Sequence, residues 1–126
     1  MAIELFLVKL DYKPNNLGAG SMMLQLAVDP EHKTLNGRAD GTILEGTQHA
    51  PHFTASGTGL FHSTGFGVIT KIGTVKGQAV VSFSPPAIGS YLAPFSASFE
   101  VDNGWCGKGQ FSVGTNTYEC QVTMVN

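Results

Sequence analysis

Between Thr34 and His62 apolar or small residues alternate with polar ones at a period of two, the signature of strands whose successive side chains point to opposite faces. In the first half Leu35, Gly37, Ala39, Gly41 and Ile43 share a face; in the second, Phe53, Ala55, Gly57, Gly59 and Phe61 do. Folded antiparallel with Ile43 opposite Phe53, the inner face reads Ile43/Phe53, Gly41/Ala55, Ala39/Gly57, Gly37/Gly59 and Leu35/Phe61. Small pairs lie between large ones. Glycine weakens a strand interior, so such a row marks a bend or the close approach of a bulky side chain or a ligand.

The same pattern predicts strands along the whole chain, and no stretch sustains a helical period. The first, Ala2 to Tyr12, is apolar on both faces near its centre, with Phe6, Val8 and Leu10 on one side and Ile3, Leu5 and Leu7 on the other. Met22, Leu24, Leu26 and Val28 mark a second, ended by Asp29-Pro30. Beyond the opening hairpin, Phe66 to Ile72 and Ala79 to Phe83 read as two strands joined by a turn at Lys76-Gly77, with Ile72 opposite Val81.

Asp102-Asn103-Gly104 suits a three-residue loop with glycine in the left-handed position, setting Val101 against Trp105, Phe99 against Gly107 and Phe95 against Phe111. Gly114-Thr115 suits a two-residue loop with glycine first, pairing Phe111 with Tyr118, Gly109 with Cys120 and Trp105 with Met124.

These strands predict an all-β domain, an antiparallel up-and-down barrel of eight or nine strands, with a two-sheet β-sandwich as the alternative. An odd count would close a meander with its first and last strands parallel, so either two of the nine are one bent strand, or the sheet stays open, or it splits into a sandwich.

Composition sets bounds on what the domain does. At 126 residues the chain is a single domain, 1–126, and 42% hydrophobic against 13% charged residues describes a folded one. The seven Lys and Arg against nine Asp and Glu give −2, and the cations are scattered, which excludes a phosphate-neutralising surface and hence nucleic acid. Met1-Ala2-Ile3-Glu4 has no basic region before its apolar run, and Glu4, Lys9 and Asp11 interrupt it. The expectation is neither a signal peptide nor a spanning helix, hence a cytoplasmic chain without membrane partners.

Candidate chemistry is sparse. Cys120 falls on the inward face and Cys106 on the outward one, which predicts two free thiols and no disulfide. His49 and His52 fall at the end shared with the Lys13 to Gly20 loop, whereas His32 and His62 fall at the other. Each end offers two imidazoles, with Glu45 or Glu31 as a third donor, short of a closed zinc set, so no metal and no other cofactor is expected. No nucleophile elbow occurs at His62-Ser63, where Phe61 occupies the position requiring glycine. Gly104-Trp105-Cys106-Gly107-Lys108 is too short for a phosphate loop. Glu100, Asp102 and Asp40 read as solvated outer positions, so no catalytic residue is assigned.

The runs LFLVKLDYKPNNLGAG at Leu5 to Gly20 and FEVDNGWCGKGQFSV at Phe99 to Val113 resemble a family of small conserved bacterial proteins of unknown function. The resemblance covers nearly the whole chain and carries no functional residues with it. In architecture alone the pattern is similar to avidin-like and lipocalin-like barrels.

The leading expectation is a non-catalytic binding module for a small molecule or protein. Its site is either the interior along Gly37, Ala39, Gly41, Ala55, Gly57 and Gly59, or the end loops with Asn15, Asn16, His49 and His52. A second expectation is a self-associating structural protein, a homodimer through Ile3, Leu5, Leu7 and Val125, with Ala27 beside them. A third is an isomerase or cyclase that uses a barrel cavity.

Overall fold

The computed structural model describes residues 6–14, 21–42, 52–63, 70–82 and 89–125. They form eight antiparallel strands: β1 (Phe6–Pro14), β2 (Ser21–Asp29), β3 (Thr34–Thr42), β4 (His52–Ser63), β5 (Lys71–Ser82), β6 (Ser90–Val101), β7 (Gly107–Val113) and β8 (Asn116–Met124). Each pairs with its neighbour in sequence, and β8 closes on β1 with Tyr12 opposite Val122, so the sheet is a closed up-and-down barrel. Closure gives every strand a neighbour on both sides, with β1 and β8 paired along Leu10–Pro14. The sandwich alternative is thereby excluded.

The count of eight has a physical cause. Lys76-Gly77, expected to turn, lies inside a continuous twelve-residue β5 flanked by the twelve-residue strands β4 and β6. Ile72 and Val81 therefore sit on one strand, Ile72 opposite His62 and Val81 opposite Phe53. One long strand satisfies the ladders on both sides, whereas a turn would leave half of each neighbour's backbone groups unpaired. Gly77 is there for space: a Cβ at that position would run into the Ser56 carbonyl.

Two hairpins keep the expected faces and change partners. Phe53 lies opposite Gly41 and not Ile43, and the pairing continues as Ala39 with Ala55, Gly37 with Gly57 and Leu35 with Gly59. Between β6 and β7, Phe99 faces Gly109 and Val101 faces Gly107, because the connection is longer than three residues. Asp102 organises it: its Oδ1 accepts from the amides of Gly104 at 2.8 Å and Cys106 at 3.1 Å. Trp105, not Gly104, takes the left-handed conformation, with φ of 61°. The β7–β8 turn behaves as read, with Gly114 at φ of 62° and Phe111 opposite Tyr118.

Small inner residues extend beyond the hairpin. One row runs Gly37, Gly57, Gly77 and a second runs Ala39, Ala55, Ala79, Ala93 across β3 to β6. Large side chains fill the space they leave, with Leu24, Leu26, Tyr12, Phe99 and Phe111 all buried in one core.

Candidate functional site

The small rows decide whether the barrel interior is a site. Ala39 and Ala79 each have 0% of their surface within reach of water, so no water-sized void lies against either. A Cβ on Gly37 would stand 3.0 Å from Leu26 Cδ2 and 3.5 Å from Val75 Cγ1; one on Gly41 would stand 2.7 Å from the Phe53 ring. Gly57 and Gly59 abut the β5 backbone at Lys76 and Thr74. Gly37, Ala39, Gly41, Ala55, Gly57 and Gly59 thus come together as expected, and a Cβ on any of the four glycines would meet neighbouring side chains or backbone. The close approach that glycine permits is by side chains and backbone.

At the barrel ends, His52 is exposed at the start of β4, on the end where β1 finishes and β2 begins. Asn15, Asn16 and His49 lie outside the described residues, as do Ile3 and Leu5. His32 and His62 fall at the opposite end. There Asp29, Glu31 and His32 bring donor atoms within 4.8 Å of one another, a trio in which sequence reasoning saw Glu31 and His32 but not Asp29. Its groups have a structural use already. Asp29 caps the β2–β3 turn, accepting from the Glu31 amide at 3.1 Å and the His32 amide at 3.3 Å, and its second oxygen meets His32 Nδ1 at 2.8 Å. This contact lowers the Asp29 pKa and raises that of His32.

Both cysteines are free, Cys106 exposed and Cys120 buried. Burial and, secondarily, the Asp11 charge push the Cys120 thiol up to about 11, which removes it as a nucleophile near neutral pH. Tyr12 is likewise buried, its ionisation raised first by desolvation and then by Cys120, and its hydroxyl is spent on the Ser98 carbonyl at 3.0 Å. Glu100 stands 4.0 Å from Lys108, a pair on the outside of the sheet.

The outer wall of β1, β2 and β3 is different. Successive cross-strand partners place Leu7, Ala27 and Asn36 in one row and Lys9, Gln25 and Arg38 in the next. Val125 extends the second row, its amide bonded to the Lys9 carbonyl at 2.8 Å. Together they line a trough of about 530 Å³. Leu7 is 84% exposed, the most exposed large hydrophobic residue among those described. Lys9 and Arg38 flank the floor, and among the described residues neither stands within ion-pair distance of a carboxylate. Leu7 and Val125 were legible as outward apolar positions; the two cations were missed because their approach depends on the register of three strands. A second trough, of about 390 Å³ over β5 to β8, carries the paired Glu100 and Lys108 beside Ser98, Gln110 and a further carboxylate, Glu119.

A family model described as "Domain of unknown function (DUF1842)" matches residues 3–118. The chain belongs to that family. The DUF1842 match takes in strands β1 to β7 and the start of β8, and so includes every residue of the β1–β3 trough except Val125. No curated protein and no solved structure matches the chain.

Proposed function

We propose that this DUF1842 domain is a non-catalytic binding module that recognises its partner through the outer wall of β1 to β3. The observation that carries the reading is an 84% exposed Leu7 beside a trough floored by Ala27 and flanked by Lys9 and Arg38, both without an ion-pair partner among the described residues. A large apolar side chain left in water next to uncompensated charge is a surface suited to a partner that covers the first and neutralises the second. The packed interior supports the same choice by leaving the outside as the place to bind.

Two further features favour a non-catalytic partner surface in water. The described groups with shifted proton affinities are Tyr12, Cys120, Asp29 and His32; the first two are sealed in the core and the last two hold a turn. The barrel is also apolar inside, and its outer wall intersperses exposed polar residues such as Lys9, Gln25, Arg38 and Asp40 with exposed Leu7, Leu60, Val80 and Leu92. A barrel that spans a bilayer has a polar interior and a continuous apolar outer band.

The test is a native mass spectrum of protein purified from its source without heating, beside a Leu7→Asp variant that leaves the core untouched. The reading expects non-covalently associated mass, a ligand or a further chain, on the wild type and its loss from the variant, at unchanged melting temperature. Associated mass retained by Leu7→Asp overturns it, as does a wild-type chain that carries none at any concentration.

A further inference from the structure

The rows on this wall are charged in opposite senses. Reading across the strands, Thr123, Asp11, Met23, Asp40 and Thr54 are successive partners, and directly beside them run Val125, Lys9, Gln25, Arg38 and Ser56. The first row carries two carboxylates, the second two cations, at the same strand positions. Asp40 and Arg38 are both exposed, on one strand two residues apart, and neither is within ion-pair distance of an opposite charge among the described residues.

From this we infer that the wall's partner is a second copy of the chain, docked about a twofold axis that lies between the two rows and parallel to them. The inference rests on the outer-wall reading and names its occupant. Rotation about such an axis exchanges the rows face to face while keeping strand over strand. Arg38 then stands on the partner's Asp40, Lys9 on the partner's Asp11 and Gln25 on the partner's Met23, and the reciprocal contacts follow because a twofold interface is self-complementary.

Other axes lose this match. A twofold through the cation row itself sets Arg38 on the partner's Arg38, and one through the acid row sets Asp40 on the partner's Asp40. Every strand of the closed barrel already has a neighbour on both sides, and the match between the two rows is made by side chains. Leu7, one row beyond Lys9, falls over the partner's Lys13, whose aliphatic stem covers the exposed leucine while its ammonium stays beside Asp11, 3.8 Å away in each chain. Exposed ion pairs contribute little each and weaken with salt, so the dimer is one that ionic strength dissociates.

Sedimentation of three chains tests this: wild type, Arg38→Asp and Asp40→Arg. The wild type is expected to sediment as a dimer of 13.3 kDa chains at low salt. Each reversal alone places like charges together twice per dimer and should raise the dissociation constant on the order of 100-fold. Mixed in equal amounts, the two variants complement one another. The Arg38→Asp chain then presents carboxylates in both rows and the Asp40→Arg chain guanidinium groups in both, so every contact pairs opposite charges and heterodimers should form. Unchanged melting temperatures establish that both variants are folded. A single reversal that stays dimeric, or a mixture that stays monomeric, overturns the proposed pairing. A monomeric wild type whose bound small-molecule mass disappears in Leu7→Asp overturns the dimer and leaves the outer-wall reading standing. A dimer that persists through Leu7→Asp and both reversals overturns both.

Discussion

The Tyr12 hydroxyl crosses from β1 to donate a hydrogen bond to the Ser98 carbonyl of β6 at 3.0 Å. The two residues are not on neighbouring strands. What lets the ring reach is Gly109 on the intervening β7, where a Cβ would stand 3.0 Å from Tyr12 Cε2. Phe111 meets the ring edge-on at a centroid distance of 6.2 Å. A glycine on one strand thus admits an aromatic side chain from another, and the core is built by repeating that device.

Tyr12→Phe keeps the ring and removes the hydroxyl that donates to the Ser98 carbonyl, and should lower unfolding stability by about 1 kcal/mol in urea. Because burial raises the Tyr12 pKa above its ordinary 10.0, the folded state holds this proton more tightly than the unfolded chain. That contribution is fully present below pH 10.0 and is lost as pH rises further, so alkaline unfolding should release one tyrosinate together with the fold. Difference absorbance near the phenolate band checks it.

Gly73 receives the Phe99 ring in the same manner, with a Cβ there 2.5 Å from Phe99 Cζ and 3.1 Å from Phe61 Cβ. Gly73→Ala forces two buried aromatic residues aside and should destabilise the barrel by about 1–3 kcal/mol. Gly104→Ala, in the open turn, is the comparison: a Cβ there meets only Asp102 Oδ1 at 3.4 Å, and the melting temperature should change far less.

Trp105 closes one end of the barrel from a left-handed backbone, packed at 5.7 Å on Phe99 and 6.2 Å on Phe6, with the Lys71 ammonium 4.9 Å from its ring centre. Trp105→Ala should lose about 3 kcal/mol of stability. Trp105→Gly should lose less, by about 1 kcal/mol, since glycine accepts the φ of 61° without strain. A glycine variant less stable than the alanine one would contradict the backbone account.

The Asp29–His32 contact sets a pH window. Asp29 is lowered from 3.8, so its contribution is full above that value and lost as pH falls through the lowered one. His32 is raised from 6.5, so its contribution is full below that value and lost as pH rises through the raised one. The pair therefore supports the β2–β3 turn fully between these two values. In Asp29→Asn, the His32 imidazole should titrate at lower pH than in the wild type by NMR.

Alternation made the faces legible: Leu35, Ala39, Phe53, Ala55, Phe61, Phe95, Phe99 and Phe111 were all expected inward and all are buried. Register was harder, because a slip of two residues leaves every side chain on its expected face and breaks no rule of patterning. That is why Phe53 could be set opposite Ile43 when Gly41 is its partner. Gly114 was placed correctly since a tight turn fixes the register of β7 and β8. Lys76-Gly77 has the chemistry of a turn, and only the length of its two neighbours keeps it extended. For the site, Leu7 could be read from parity alone. The opposition of Lys9 and Arg38 to Asp11 and Asp40 required three strands in register, and local sequence does not contain it.

Methyl NMR, followed as protein concentration is raised at low salt, distinguishes recognition at the outer wall from recognition in the interior. Concentration-dependent shifts are expected at Leu7, Met23, Ala27 and Val125, with Leu24, Leu26 and Val75 in the core unmoved. Outer-wall signals that ignore concentration while the core methyls shift would contradict recognition at the outer wall.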